Sequence, residues 1–385
     1  LTVRVNLAPW VYPDDKDSEQ IPKLKSMYDA GDDMLKISQL KLYSDGIIIN
    51  ATAALHQPYK ESLGLPFNIG LNYIDATRLV DLITDLEKTG FDFHIHAIGD
   101  RGITEALDAI ENARNTNGDI GARHRITHLE IVKPSDYDRF GKLNITADMQ
   151  VAGEFTNPEH WSENDFLIGS ERSANLVPLK SLFDNGARIT LSSDWDVSTV
   201  NPFVGMQNAL TRSPQALPSL EEIVKAYTIN GAYVMRQEDK TGSIELGKLA
   251  DFIFVNQDIF AIDENKIKDT EVLSTHVGGK EVYRSTSLPA LGTIDISPLG
   301  LNENENQKSF KLFPNPANDI LKIDVAAFKI KSITIYSNDG KLIQKLLTKN
   351  NKIIEINISK YVKGVYHLTL ELENSRNLSS KFMKE

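Results

Sequence analysis

The segment FDFHIHAIGDRGITEALDAIENARN, residues 91–115, decides the fold class because it joins a strand to a helix through a polar loop. Residues 91–100 have the alternation and the aromatic and branched content of a strand that runs into a loop, and residues 102–115 have the apolar spacing of a helix. The strand ends in polar side chains, His96 and Asp100. Repetition of such units predicts a parallel α/β architecture.

The surrounding segments repeat this unit. Strand-like patterns occupy 1–9, 35–46, 124–132, 143–150 and 188–196, and helical patterns occupy 18–31, 75–90, 175–187 and 219–235. Asp75 is the expected N-cap of the second helix and Gly90 follows its end. Ser219 and Glu222 predict a capping box at the start of the last helix.

Six strands in this order fit either a doubly wound sheet or a (β/α)8 barrel. The barrel is favoured because polar residues stand at the carboxyl ends of different strands, where barrel active sites are assembled. These strand-end residues are Lys41, Asp45, His96, Asp100, His128, Glu130, Gln150, Asp194 and Asp196.

Composition narrows the classes of function. The chain has 385 residues, a formal net charge of −11 and no Cys, which excludes disulfides and thiol chemistry and argues against nucleic-acid binding. The charge is uneven, because residues 309–385 carry 13 Lys and Arg against 7 Asp and Glu. Residues 285–308 mix Pro, Gly, Ser and Asn without periodicity and predict a linker. The composition leaves a homo-oligomer open.

Three histidines at strand ends, together with carboxylates, suggest a divalent metal site for zinc, iron or manganese. Each residue also has a structural interpretation. His94 shares a face with His96 and is either a ligand or a supporting residue, and Asp194 could cap a helix. Lys41 on a buried strand is either a carboxylated metal ligand or the ion-pair partner of Asp45. The remaining candidates, His56, His124 and His160, are expected to have no functional role.

Several motifs in order resemble the metal-dependent amidohydrolase superfamily, in its family 3 group of exoenzyme-regulator-like and N-substituted formamide deformylase-like proteins. They are KLYSDGIIINATAALHQPY (41–59), HIHAIGDRGITEALDAIE (94–111), RITHLEIVKPSDYDRFGKLNITADMQ (125–150), the segment 167–212 and GSIELGKLADFIFVNQDIF (242–260). The resemblance covers roughly residues 1–284, with a barrel over 1–240 and part of a small β-sandwich over 241–284. Within the latter, residues 241–256 predict a Gly-containing turn and two short strands with no helix between them.

The resemblance implies hydrolysis of a small-molecule amide, or a related C–N bond, by a water activated on one or two divalent metals, most often zinc. By motif, His96 and His128 would be metal ligands, Lys41 a carboxylated ligand, and Asp194 the general base that also touches metal. Substrate-binding or loop-orienting roles would fall to Asp100, Arg101, Arg172 and Gln150.

One departure from the family pattern stands out. The family has a His-x-His pair at the end of its first barrel strand, whereas the His-x-His of this chain, His94-Ile95-His96, belongs to the fifth. Residues 35–46 would then be strand four and residues 1–9 strand three. We therefore expect an N-terminally truncated fragment of about six barrel strands, with little activity and with any signal peptide encoded upstream of Leu1.

Residues 309–385 alternate as antiparallel strands around an Asn338-Asp339-Gly340 turn, which predicts a separate β-sandwich. A carbohydrate-binding or immunoglobulin-like module fits this pattern. The opening Phe313-Pro314-Asn315-Pro316-Ala317, the Lys363-Gly364-Val365-Tyr366 strand and the basic end resemble the C-terminal sorting domain of type IX secretion. That resemblance implies binding to the outer-membrane translocon and a secreted or surface location.

Three hypotheses about function follow. The first is a secreted amidohydrolase, and the second is a non-catalytic remnant or surface-attached binding protein. The third is a metal-barrel hydrolase that cleaves phosphoesters or deaminates a nucleobase.

Overall fold

The computed structural model describes residues 2–60, 63–64, 68–288, 310–325, 328–338, 340–347, 352–373 and 377–385. The chain divides into two compact units, Leu1–Leu288 and Pro289–Glu385. Most of the predicted linker, residues 289–308, lies outside the described residues. Among the described residues, no helix has the length and apolar content to cross a membrane.

The first unit is built on parallel strands. They are β1 (Val5–Leu7), β2 (Leu35–Ile37), β3 (Gln39–Tyr43), β4 (Asp92–Ala97), β5 (Arg125–His128), β6 (Thr146–Met149) and β7 (Arg188–Leu191). Strands β3 to β7 pair in chain order, every pair parallel, and β1 pairs in parallel with β2. Sequential pairing without a reversal is the order of a barrel rather than of a doubly wound sheet. The predicted parallel α/β, barrel-type class is confirmed.

The predicted strand 35–46 is two strands, with a break at Ser38. The Ser38 backbone N–H donates to Asn6 Oδ1 at 3.3 Å, and the Ser38 carbonyl accepts from Asp92 N at 3.0 Å. The chain therefore changes its pairing partner here from β1 to β4. Beyond the break, a bridge between Trp10 and Lys41 keeps the first strand beside β3.

Helices connect and cover these strands. They are α1 (Asp17–Met27), α2 (Ala76–Glu87), α3 (Asp100–Asn117), α4 (Tyr137–Lys142), α5 (Asp165–Ile168), α6 (Ser170–Ser173), α7 (Leu179–Asp184), α8 (Pro202–Thr211), α9 (Leu220–Tyr227) and α10 (Ile229–Val234). Asp75 caps α2 as predicted, because its side chain accepts from Arg78 N. The core between strands and helices is apolar and includes fully buried Leu79, Ile83, Phe93 and Phe140.

The helix predicted over 219–235 is two helices. Thr228, with φ −120° and ψ −92°, separates α9 from α10. Ser219 accepts the Glu222 N–H as predicted, at 3.3 Å. The Glu222 carboxylate instead accepts from Lys225 Nζ at 2.6 Å, and this salt bridge replaces the second half of the predicted capping box.

Of the two strands predicted within 241–256, only β8 (Phe252–Val255) forms. It joins β9 (Val272–Val277) and β10 (Lys280–Arg284) in an antiparallel sheet ordered β10-β9-β8. Residues 243–248 close on themselves instead, since Lys248 N donates to Glu245 O at 3.1 Å and Lys248 Nζ to Ser243 Oγ at 2.6 Å. Local bonds therefore replace a strand ladder in this segment.

The second unit consists of two antiparallel sheets, ordered β11-β12-β15 and β14-β13-β16-β17. Its strands are β11 (Lys311–Phe313), β12 (Ile320–Asp324), β13 (Ile330–Ser337), β14 (Leu342–Leu347), β15 (Ile353–Asn357), β16 (Gly364–Leu372) and β17 (Asn377–Lys384). Buried residues of both sheets, such as Ile323 and Ile335, share one core. Gly340, in the β13–β14 turn, has φ +79° as expected, while Asp339 lies outside the described residues.

Candidate active site

A cavity of about 560 Å³ opens at the carboxyl ends of the parallel strands. Residues at the ends of five successive strands line it: Tyr43, His96, His128, Gln150 and Asp194. The sequence had placed four of these residues in a site because they follow different strands. The structure brings those four together in a single cavity.

His96 and His128 stand side by side, with ring centroids 4.3 Å apart. His96 Nε2 lies 3.1 Å from the Gly46 carbonyl oxygen, which can only accept, so Nε2 carries the proton and Nδ1 keeps its lone pair. Burial lowers the pKa of His96 to about 4 and that of His128 well below its ordinary value. Both imidazoles are therefore neutral at neutral pH, which is the form that binds metals.

Two predicted functional residues adopt left-handed backbone conformations. His128 has φ +79° and Asp194 has φ +50°, both unusual for residues other than Gly. Leu129, which follows with φ +55°, is held by its N–H bond to Ala97 O at 3.1 Å. Such conformations persist only where the surroundings hold them, and they concentrate at functional sites.

The Asp194 carboxylate lies in the lining of the cavity, whereas Asp196 does not contribute to it. Burial raises the pKa of Asp194, an effect that Lys41 opposes and Asp148 reinforces. A carboxylate with a raised pKa is a better proton acceptor than an ordinary one. Of the two Asp residues in the Ser-Ser-Asp-Trp-Asp motif, Asp194 is the one placed to act on a substrate.

Lys41 lies on β3, next to the cavity but outside its lining. Its Nζ is 3.4 Å from His94 Nε2 and 4.9 Å from the centre of the Tyr43 ring. Burial lowers the Lys41 pKa to about 8. The alternative of an ion pair with Asp45 is wrong, because the Asp45 carboxylate accepts backbone N–H bonds from Ala54, Ile98 and Gly99 instead.

His94 does not line the cavity but contacts Lys41 and Arg125 beside it. Arg125 Nη2 lies 3.0 Å from His94 Nδ1, and Lys41 Nζ lies 3.4 Å from His94 Nε2, so each ring nitrogen of His94 faces a basic side chain. Gln150 reaches the cavity and also donates to Thr127 Oγ1 at 2.9 Å.

The two predicted arginines hold a loop. Arg172 donates to the carbonyls of Gln57 and Pro58 at 2.9 and 2.8 Å, and Arg101 donates to those of Leu55 and Ile69. Asp100 accepts the His56 N–H at 2.9 Å. None of Asp100, Arg101 and Arg172 lines the cavity, so their geometry fits loop orientation and not direct contact with a ligand there.

The donors suit a divalent metal in type, since they offer two neutral imidazoles and a carboxylate. They fall short in number: no cluster of three His, Asp or Glu side chains in the described part of the chain is arranged to hold a metal. The described donors therefore match a metal centre in type but form no three-residue cluster.

Sequence reasoning missed the upper wall of the cavity. It is apolar and aromatic, and comes from the loops and short helical segments, including α5, that follow the strands: Ile47, Ile48, Ile49, Phe155, Trp161, Phe166, Leu167, Leu176, Val177 and Val197. His160, expected to have no role, also lines it. Loop residues carry no periodicity, so no sequence signal pointed to this wall.

Comparison with known proteins agrees with this geometry. Residues 1–283 match the amidohydrolase family. The chain belongs to that family. Residues 311–385 match the secretion system C-terminal sorting domain, which indicates secretion or cell-surface attachment through the type IX system.

Two curated relatives are similar over the first unit. Protein LONG AFTER FAR-RED 3 of Arabidopsis thaliana is 32% identical over 65% of this chain and 43% of its own length. The N-substituted formamide deformylase of Arthrobacter pascens is 28% identical over 58% of this chain and 42% of its own length. The chain thus spans less than half the length of either relative.

A solved structure has the same architecture. It is an uncharacterized metal-dependent hydrolase from Pyrococcus horikoshii, 25% identical, with a TM-score of 0.56 over 68% of this chain and 52% of that one. This neighbour agrees with the parallel-strand fold of the first unit and with its assignment to a family of metal-dependent hydrolases.

Proposed function

We propose that this protein is a secreted hydrolase that cleaves the C–N bond of an amide, of the N-acyl or N-formyl type. The observation that carries the proposal is the convergence of His96, His128 and Asp194 on one cavity at the strand ends. The similarity to a relative named N-substituted formamide deformylase supports the C–N class.

His96 and His128 would be ligands of a divalent metal, which we propose is zinc, and Asp194 and a carboxylated Lys41 would complete a ligand set that is not assembled among the described residues. When bound, such a metal lowers the pKa of water and polarises the substrate carbonyl. Asp194 accepts a proton from the attacking water and passes it to the leaving nitrogen. Gln150 and the loop held by Arg101 and Arg172 orient the substrate over these groups.

A second candidate function has its own observation. The described residues hold no complete three-ligand cluster, and the family's first-strand His-x-His has no counterpart in the sequence. A partial donor set favours weak metal binding, so a non-catalytic, surface-attached role for this chain is the alternative.

The test is turnover of N-formyl and N-acetyl amines by the 385-residue chain with added Zn²⁺, beside its Asp194→Asn variant. We expect slow hydrolysis that falls about 10²- to 10⁴-fold further in the variant, because a general base contributes that much. Asp196→Asn is the matched control and should retain activity.

The outcomes separate the hypotheses. Equal rates for the wild type and Asp194→Asn would show that Asp194 is not the base. Absence of turnover at any zinc concentration would favour the non-catalytic role. Phosphotriester and nucleobase substrates, assayed with the same preparation, should give no product, and product formation there would move the protein to another reaction class.

A further inference from the structure

One wall of the active-site cavity consists of apolar side chains. Its loop-derived lining includes the rings of Phe155, Trp161 and Phe166 and the aliphatic side chains of Ile47 and Ile49. Phe166 and Ile49 are 58% and 72% exposed although they face the cavity. Apolar side chains left open to solvent in a concave site indicate a ligand with an apolar arm.

The charged side chains that line the cavity are mainly carboxylates. Its carboxylates are Glu130, Glu163 and Asp194, and no Lys or Arg is among the lining residues that the structure describes. Glu163 is offset locally by His160, whose Nδ1 lies 2.8 Å from Glu163 Oε1. The nearby cation Lys41 is outside the lining and faces His94 and Tyr43. A carboxylate ligand would meet repulsion here without a cation to bind it.

Glu130 is the carboxylate without an assigned role. It follows the left-handed residues His128 and Leu129, and its backbone carbonyl accepts the Val177 N–H at 2.8 Å, which fixes the turn beside the cavity. In the part of the chain that the structure describes, no hydrogen bond or ion pair engages its carboxylate, and Asp45 adds a second negative charge nearby. Glu130 is partly buried and its carboxylate has no protein partner among the described residues, so it is free to bind a donor or a cation of a ligand in the cavity.

We infer that the cavity selects molecules that join an aromatic or aliphatic arm to a cationic or N–H-donating head, and that Glu130 binds this head. For the same reason the cavity rejects ligands that carry a carboxylate. This inference rests on the proposed function, for which it names the substrate class: amides of apolar amines that bear no carboxylate, as opposed to N-acyl amino acids. Glu130 acts in specificity and takes no part in bond cleavage.

The test is binding, measured by calorimetry with three ligands of the same shape: benzylammonium, benzyl alcohol and phenylacetate. The 385-residue chain is used at pH 7.5 in EDTA, because a bound metal would by itself attract phenylacetate. Benzylammonium is expected to bind at least roughly tenfold more tightly than phenylacetate, since a close carboxylate acts in opposite directions on the two charges.

Variants assign the effect. Glu130→Gln should reduce the ratio of the two affinities at least about threefold, whereas Glu130→Asp, which keeps the charge, should preserve the preference. Glu159→Gln is the matched control, because this exposed carboxylate is close in sequence to the cavity residues but does not line the cavity. Circular dichroism verifies that each variant is folded. If Glu130→Gln does not fold, the affinity ratio of the two ligands in Glu130→Asp is the deciding result.

Three results would overturn the inference: phenylacetate bound as tightly as benzylammonium, no detectable binding of benzylammonium, or a preference unchanged in Glu130→Gln. Hydrolysis is not involved in the measurement. An inactive protein that shows the preference would therefore contradict only the proposed function, and an active protein without the preference would contradict only this inference.

Discussion

Replacing Asp45 with Asn should destabilise the first unit strongly, although the two side chains have nearly the same shape. Asp45 is fully buried, and its Oδ2 accepts N–H bonds from Ala54 at 2.8 Å and Gly99 at 2.7 Å, while Oδ1 accepts from Ile98 at 2.9 Å. The carboxylate therefore ties the loop after β3 to the loop after β4, which carries one side of the cavity.

The amide of Asn has one oxygen, so it can accept hydrogen bonds at the position of Oδ1 or of Oδ2 but not at both. If the Asn oxygen takes the place of Oδ2, its NH₂ group faces the Ile98 N–H, and these two buried donors are left without an acceptor. Each unpaired buried group costs about 1–3 kcal/mol, and removal of a buried charge offsets part of that loss. We expect the free energy of unfolding to fall by about 3 kcal/mol.

Urea unfolding followed by tryptophan fluorescence measures this change. All three Trp residues, Trp10, Trp161 and Trp195, lie in the first unit, so the signal reports that unit without the second. Asp75→Asn is the matched control, because Asn caps a helix nearly as well as Asp and should cost less than about 0.5 kcal/mol. A loss below about 1 kcal/mol for Asp45→Asn would refute the reasoning.

Two further predictions concern pH and export. Burial lowers the His96 pKa to about 4 from an ordinary value near 6.5, so the folded protein favours the neutral ring. In EDTA, the stability that His96 contributes should be full above about pH 6.5 and decline toward pH 4. In urea titrations across this range, His96→Asn should remove as much as about 3 kcal/mol of the decline, and an unchanged slope would contradict the shift. Deletion of 309–385 should leave the protein cell-associated when immunoblots compare cells with medium, whereas undiminished export would remove the role of the sorting domain.

Much of the fold followed from local sequence patterns. Asp75 and Gly90 bracketed α2 because capping chemistry is local, and the polar strand ends located His96, His128 and Asp194 because parallel strands end on one face. These signals depend only on the residues near each element.

The errors arose where individual hydrogen bonds, and not periodicity, decide the structure. The break at Ser38 depends on Asn6 and Asp92, which are far away in sequence, and the turn at 243–248 follows from a Lys248–Ser243 bond that no periodicity reveals. The unpaired carboxylate of Glu130 is likewise a property of the assembled cavity. The sequence could place a carboxylate at that strand end but could not show what surrounds it.

Titration with Co²⁺, followed by visible absorption, tests most directly whether His96 and His128 are metal ligands. It compares the 385-residue chain with His96→Ala, His128→Ala and the control His160→Ala. His96 and His128 are adjacent in the cavity and neutral, so each should be needed for binding, whereas His160 is paired with Glu163. We predict weak binding by the wild type and by His160→Ala, and none by the other two variants. Undiminished binding by His96→Ala or His128→Ala would contradict the proposal that these two side chains are metal ligands.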